Sequence, residues 1–240
     1  MEGSKQQSGV VGGVLNNAPL FVAAAHELKS PLALVRQLSL SIEQDDMSPG
    51  QVEKLARQIT LTSERALRLT TDLTRTARLE DGLFRLEPLD PMSLCREVMG
   101  EIEPLYKQRG RQVTLQVRKR PVLALANRDL LRRIMLNFLD NALHYSDNKN
   151  PVVITTTSLE GGARIRLGVR DYGPAVPGKI AKNAGATPSS LHSRPESSGL
   201  GVYIARQFAE AMNASIGTSS HQNGATFYVD VGASTQLRLL

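Results

Sequence analysis

The chain is short of several residue types, and each shortage narrows what it can be. Cysteine occurs once, at Cys95, so no intramolecular disulfide can staple the fold, which fits a reducing compartment. Tryptophan is absent and aromatic residues make up 4% of the 240 positions. The core must therefore be built from Leu, Val, Ile and Ala, and there is no aromatic platform on which nucleic-acid bases could stack. No apolar run approaches the roughly 18 residues needed to cross a bilayer. The nearest, VVGGVLNNAPLFVAAA at residues 10–25, is cut by Asn16, Asn17 and Pro19. No basic region precedes a compact apolar core, so a signal peptide is not expected either. The chain reads as soluble and cytoplasmic, or as the soluble part of a longer membrane receptor. Charge of one sign is also missing as a patch: the net +6 comes from 29 Lys and Arg interleaved with 23 acids. That pattern describes a solvated surface, and no nucleic-acid partner is expected.

What is present begins with periodicity. Residues 1–17 are rich in Gly and Ser and read as a flexible segment. Phe21, Ala25, Leu28, Leu32, Val35 and Ile42 then recur at helical spacing, with Ser39 as the one polar member. DDMSPG at 45–50 marks a turn, and Ser48-Pro49 is a sound start for a second helix. In that helix Val52, Leu55, Ile59, Thr62, Ala66, Leu69, Leu73 and Thr76 alternate by three and four, a heptad seam. A lone hairpin cannot cover two such seams, so a homodimer forming a four-helix bundle is the expected arrangement.

LEDGLFRLEPLDP at 79–91 breaks the pattern, and a domain boundary is expected at 82/83. Beyond it, helical stretches at 92–108 and 127–146 and a third entered from SSGLG at 197–201 alternate with β-branched strand candidates at 112–118, 151–160, 163–173, 214–220 and 224–231. The fold class expected is α+β: a helical hairpin followed by an α/β sandwich with helices on one face of a mixed sheet.

Several short motifs carry chemistry. HELKSPL at 26–32 sets His26 beside Glu27, with Ser30 one turn on and Pro31 after it. Pro31 has no N–H for the carbonyl of Glu27, so the helix should bend beside the imidazole. An exposed neutral His next to a carboxylate can serve as a nucleophile; it can also be a plain surface residue. A zinc-protease helix needs His-Glu-x-x-His, and Ser30 occupies the last of those places. NFLDNALHYS at 137–146 puts Asn137 and Asn141 four residues apart, with His144 and Tyr145 one turn further. Amide oxygens suit Mg²⁺, and Asn pairs are also common as helix surface residues. VRDYGPAVPG at 169–178 ends a strand on Asp171, then Gly173, which would let a base approach; a plain Asp-x-Gly turn reads the same way. Gly199 and Gly201 precede a helix, where amides and the helix dipole favour phosphate, although no Gly-Lys-Ser/Thr follows as in a Walker loop. The polar stretch at 179–198 between the glycine elements is long enough to be a lid.

Taken in order and spacing, these motifs resemble the sensor histidine kinase family over about residues 18–232. HELKSPL looks like its phosphoacceptor box and NFLDNALHYS like its asparagine box. DYGPAVP and SSGLGVYIARQFAEA look like its two glycine boxes, and NGATFYVDV like its closing strand. The resemblance implies a dimerising phosphotransfer hairpin at 18–82 and, at 83–240, a catalytic ATP-binding domain of the type shared with gyrase and heat-shock chaperones. It implies ATP and Mg²⁺ as ligands, His26 as phosphoacceptor, Glu27 as its acid/base partner, and a response-regulator receiver domain as partner. It implies Asn141 as the Mg²⁺ ligand with Asn137 in support, Tyr145 packed near adenine, and Asp171 on the adenine amine. Gly199 and Gly201 would lie against the phosphates, with Thr226 near Asp171. The sequence departs from the family pattern at Ala175, His144, Ser197 and Ser30, the last being the position associated with dephosphorylating the partner regulator. Those departures motivate an alternative, a degenerate member acting as a dimeric regulator scaffold or phosphatase with weak nucleotide binding.

Overall fold

A computed structural model describes residues 18–43, 47–77, 79, 84–117, 122–146, 150–173 and 200–235; of residues 18, 19, 21, 144 and 145 it describes the backbone alone. The expectations placed on residues 1–17, on Ala175, Ser197 and Gly199, on the 179–198 stretch and on the side chains of His144 and Tyr145 lie outside the described set. The chain divides into two compact units, and the division falls inside a helix, between Thr71 and Asp72.

The first unit is helical. Helix α1 runs from Ala18 to Ile42 without interruption through Pro31. Helix α2 runs from Pro49 to Ala77. Its start is a capping box: Ser48 N–H donates to Gln51 Oε1 at 2.8 Å, and Gln51 N–H points back at Ser48 Oγ at 3.4 Å. All eight members of the expected α2 seam, Val52 through Thr76, are half-buried. The α1 seam differs from expectation. Ala25 is exposed and Leu32 is 61% exposed, whereas Leu20, Ala23, Ala24 and Leu38 are buried. The buried line starts one position earlier because the VAAA run at 22–25 offers no polar contrast to fix its phase. It then continues through half-buried Leu28, Pro31, Val35 and Ile42.

The second unit is α+β. Its seven strands are β1 (Glu87–Leu89), β2 (Val113–Val117), β3 (Ala124–Ala126), β4 (Val152–Leu159), β5 (Arg164–Arg170), β6 (Ser215–His221) and β7 (Gly224–Ala233). The sheet order is β1-β3-β7-β5-β4-β2, with β6 paired to β7. It is mixed: β2 and β4 are parallel and every other pair is antiparallel. Period-two alternation sends Ile154, Ile165, Leu167, Val169, Val229 and Val231 to one face, each at most 1% exposed. Helix α3 (Pro91–Gln108) and helix α4 (Arg128–Tyr145) cover that face, packed on each other and on the central strands. Helix α5 (Leu200–Ala211) buries Ile204, Ala205 and Phe208. Each large side chain buried this way contributes about 1.5–3 kcal/mol. Tyr106 is fully buried and donates its hydroxyl to the Leu139 carbonyl at 2.8 Å, tying α3 to α4. The short strands β1 and β3 carry no alternating pattern that would have announced them.

The opposite face carries Arg164, Arg166, Gly168 and Arg170 from β5. Arg166 grips Asp230 with two 2.7 Å bonds and lies 3.6 Å above the Tyr228 ring. Tyr228 in turn lies over Gly217, where a Cβ would come within 2.4 Å of its ring. This stack covers the centre of the sheet on the face where, among the described residues, no helix of this unit packs.

Candidate functional site

The two units present the expected residues separately. In the first, α1 displays His26 and Ser30 exposed, with Glu27 half-buried between them. The imidazole is therefore open to a reaction partner.

In the second unit the site is assembled from the end of β5, the start of β7, α4 and the start of α5. Asp171 follows the last residue of β5 and is buried. Its N–H donates to the Ala225 carbonyl at 2.9 Å, continuing the β5–β7 ladder. The return bond comes from the Ala225 N–H to the carboxylate itself, Oδ1, at 3.0 Å, and Gly173 N–H donates to the same oxygen at 3.2 Å. Two amides thus fix one oxygen, and among the described residues no donor reaches Oδ2. Gly224 makes the approach possible. Its φ of +116° suits glycine, and a Cβ there would fall 2.3 Å from the Asp171 carbonyl oxygen and 2.7 Å from Oδ1.

Thr226, expected near Asp171, directly follows Ala225, whose amide bonds the Asp171 carboxylate. Its hydroxyl lies 3.0 Å from His221 Nε2, and no hydrogen bond links it to Asp171. The reason is the pleat: Thr226 pairs with Arg170, so its side chain leaves the sheet on the other face from its neighbour Ala225. The Ala225 amide holds the carboxylate. The two residues Gln222 and Asn223 turn β6 into β7, and the nearness of Gly224 to Asp171 is a tertiary fact. Burial, and then the charge of Arg170, hold the His221 imidazole below its ordinary pKa against the opposing pull of Asp171.

Helix α4 begins at Asn127, whose side chain accepts from Leu130 N–H at 3.1 Å. It carries Asn137 and Asn141, both half-buried, on one face. Gly201 lies beside Asn137: a Cβ at 201 would be 3.8 Å from the amide oxygen. Among the described residues, the buried Asn137 Nδ2 has no hydrogen-bond partner. Next to Asn137, the Phe138 ring meets Phe227 at 5.8 Å, joining α4 to β7.

These residues fit a nucleotide. A fixed carboxylate with an open oxygen can accept from a purine amine, and an orphaned amide N–H₂ beside a helix start can donate to phosphate oxygen. Among the described residues, no cluster of three or more His, Cys, Asp or Glu could hold a metal. A cation here would rest on amide oxygen and on the ligand's own phosphates, which is the mode Mg²⁺ accepts.

Comparison with known proteins agrees. Residues 126–235 match the family model described as histidine kinase-, DNA gyrase B-, and HSP90-like ATPase. The sensor protein CutS of Streptomyces coelicolor is 27% identical over 205 residues, covering 84% of this chain and 49% of its own. The chain is similar to sensor histidine kinases, and residues 126–235 carry its match to the ATPase family model. It spans about half the length of that curated relative. Two solved histidine kinase structures share the fold. ShkA, solved with AMPPNP, has a TM-score of 0.61 at 23% identity, covering 88% of this chain and 45% of ShkA. ThkA, solved in complex with its response regulator TrrA, has a TM-score of 0.62 at 18% identity, covering 92% of this chain and 63% of that one. Among the described residues, no helix is long and apolar enough to cross a membrane.

Proposed function

We propose that the chain is the core of an ATP-dependent protein-histidine kinase working in two-component signal transduction. The observation that carries this reading is the Asp171 carboxylate, locked at one oxygen by Ala225 and Gly173, with no donor on the other among the described residues. Residues 83–240 would be the catalytic ATP-binding domain, 18–82 the dimerisation and phosphotransfer hairpin, and 1–17 a leading segment. Asp171 accepts from the adenine amine, Gly173 leaves room for the base, and Tyr145 packs near it. Asn137, Gly199 and Gly201 border the phosphates. Asn141 holds Mg²⁺, which when bound neutralises charge on the phosphate oxygens. Thr226 sits near Asp171 through its neighbour Ala225, whose amide bonds the carboxylate.

One nitrogen of His26 attacks the terminal phosphorus of ATP. The new N–P bond forms as the bond to the bridging oxygen breaks, and ADP leaves. Glu27 holds or takes the proton of the other ring nitrogen. Ser30, one turn on, offers a hydroxyl that can position water for the reverse, phosphatase chemistry at the regulator. The phosphoryl group then passes to an Asp on a response-regulator receiver domain, a partnership supported by the ThkA–TrrA complex. A second copy would cover the apolar side chains that α1 and α2 leave exposed, Val22, Leu32, Leu40 and Leu67, each 46–66% exposed, completing a homodimeric four-helix bundle. The work takes place in the cytoplasm, where ATP and regulators are found.

The test is incubation with γ-labelled ATP and Mg²⁺, for wild type and His26→Gln. Acid-labile label on the wild type alone supports the reading. Label that survives the substitution or resists acid overturns the phosphoacceptor assignment.

A further inference from the structure

The last turns of α2, from Asp72 on, belong to the same compact unit as α4. Asp72 is 4% exposed, unusual for a carboxylate on a helix whose neighbours are half-buried or exposed. Its Oδ1 faces Nη1 of Arg133 on α4 at 3.2 Å, an ion-pair contact without hydrogen-bond geometry, with the two side chains 5% and 14% exposed. One turn further along α2, Arg75 reaches Asp129 of α4, also at 3.2 Å. The adjacent Arg132 turns the other way and pairs with Glu97 and Glu101 of α3. Successive arginines thus pin α4 between α3 and the end of α2.

The spacing along α4 gives the pinning its consequence. Arg133, Asn137 and Asn141 are four residues apart in turn, so they line one face of the helix. The ion pair sits at the head of the row that carries both amides of the nucleotide site, one turn from Asn137 and two from Asn141. Asp72 lies near the C-terminal end of helix α2, which runs from Pro49 to Ala77. A surface ion pair could slide without effect; a buried one fixes its two helices in a single register, because either charge left alone is costly.

We infer that Asp72 and Arg133 form a positioning pair through which the end of α2 sets the placement of Asn137 and Asn141 at the nucleotide. The inference rests on the kinase reading for the identity of that ligand, though not for the pairing itself. Neither residue touches the reacting atoms.

Three variants of the full chain test it: Asp72→Asn, Arg133→Gln, and the two together. The double variant removes both charges of the pair, so a role confined to neutralising Arg133 predicts that it recovers wild-type behaviour. A positioning role predicts recovery of the melting temperature only. Amide exchange across residues 134–141 without nucleotide should then stay faster than in the wild type in all three variants, by on the order of tenfold. Calorimetric binding of AMPPNP with Mg²⁺ should remain weaker by a similar factor in the double variant. Wild-type exchange in the single variants, or wild-type exchange and affinity in the double variant, overturns the inference. The exchange measurement uses no nucleotide, so a wild type that binds none would defeat the kinase reading while the exchange result still decides the pair.

Discussion

Gly224 stands so close to Asp171 that a Cβ at 224 would lie 2.3 Å from the Asp171 carbonyl oxygen and 2.7 Å from its Oδ1. The carboxylate proposed to meet adenine is positioned by a glycine 53 residues later in the chain, which must have no side chain and must hold φ at +116°. Gly224→Ala therefore loses twice, through the left-handed backbone and through the clash. It should destabilise the domain by about 1–3 kcal/mol. Nucleotide affinity should fall with it, because the Ala225 amide can no longer approach Oδ1. Thermal unfolding and AMPPNP calorimetry on the same preparation check both.

Asp171→Asn probes the open oxygen. The substitution keeps the shape, and Oδ1 can still accept from Ala225 and Gly173. The atom replacing Oδ2 becomes a donor and meets the donor of the purine amine. The lost charge-assisted bond and the new mismatch should cost about 1.5–3 kcal/mol of nucleotide binding, tenfold or more, with the melting temperature little changed. A purine bearing a carbonyl in place of that amine should be bound better by the variant than by the wild type. Competition calorimetry with ATP and GTP reads the switch.

The stack on the far face of the sheet predicts a stability effect separate from function. Gly217→Ala would place a methyl 2.4 Å from the Tyr228 ring and push it from beneath Arg166. A loss of about 1–3 kcal/mol is expected in urea unfolding. Nucleotide affinity should be unchanged, since the stack lies on the other side of the sheet from α4.

Alkaline stability carries a signature of Cys95. Burial first, and then the charge of Asp90, push its thiol from an ordinary 9.0 up to about 12. In the unfolded chain the thiol ionises from about pH 9, while in the folded chain it stays protonated until about pH 12. The unfolded state therefore binds fewer protons across that window, and stability falls as pH rises. Tyr106, whose hydroxyl is also pushed up by burial, adds to the same slope above pH 10. Cys95→Ala should reduce the slope by about one proton, measured as denaturation free energy against pH. An unchanged slope would mean the thiol is not buried.

Much of this was legible in the sequence. The α2 seam was readable because Leu, Ile, Thr and Ala recur among charges that fix the phase. The α1 seam slipped because VAAA at 22–25 allows two phases, and only packing selects Leu20 and Ala24 over Phe21 and Ala25. Long strands announced themselves by alternation, whereas Glu87–Leu89 and Ala124–Ala126 are too short to alternate. The site residues stood out as motifs, but their roles depend on neighbours that sequence does not pair. Nothing local links Gly224 to Asp171 or Arg133 to Asp72. The strand pleat that turns Thr226 toward His221 and leaves Ala225 for Asp171 is settled by register, which one residue of slip would invert.

The most direct test of the central claim is to locate the phosphate. After incubation with ATP and Mg²⁺, the protein is digested and analysed by tandem mass spectrometry at mildly alkaline pH, where phosphohistidine survives. The account predicts a phosphoryl group on the imidazole of His26 and nowhere else in HELKSPL. A phosphate on Ser30, or an unmodified His26 in a preparation that has consumed ATP, would contradict it.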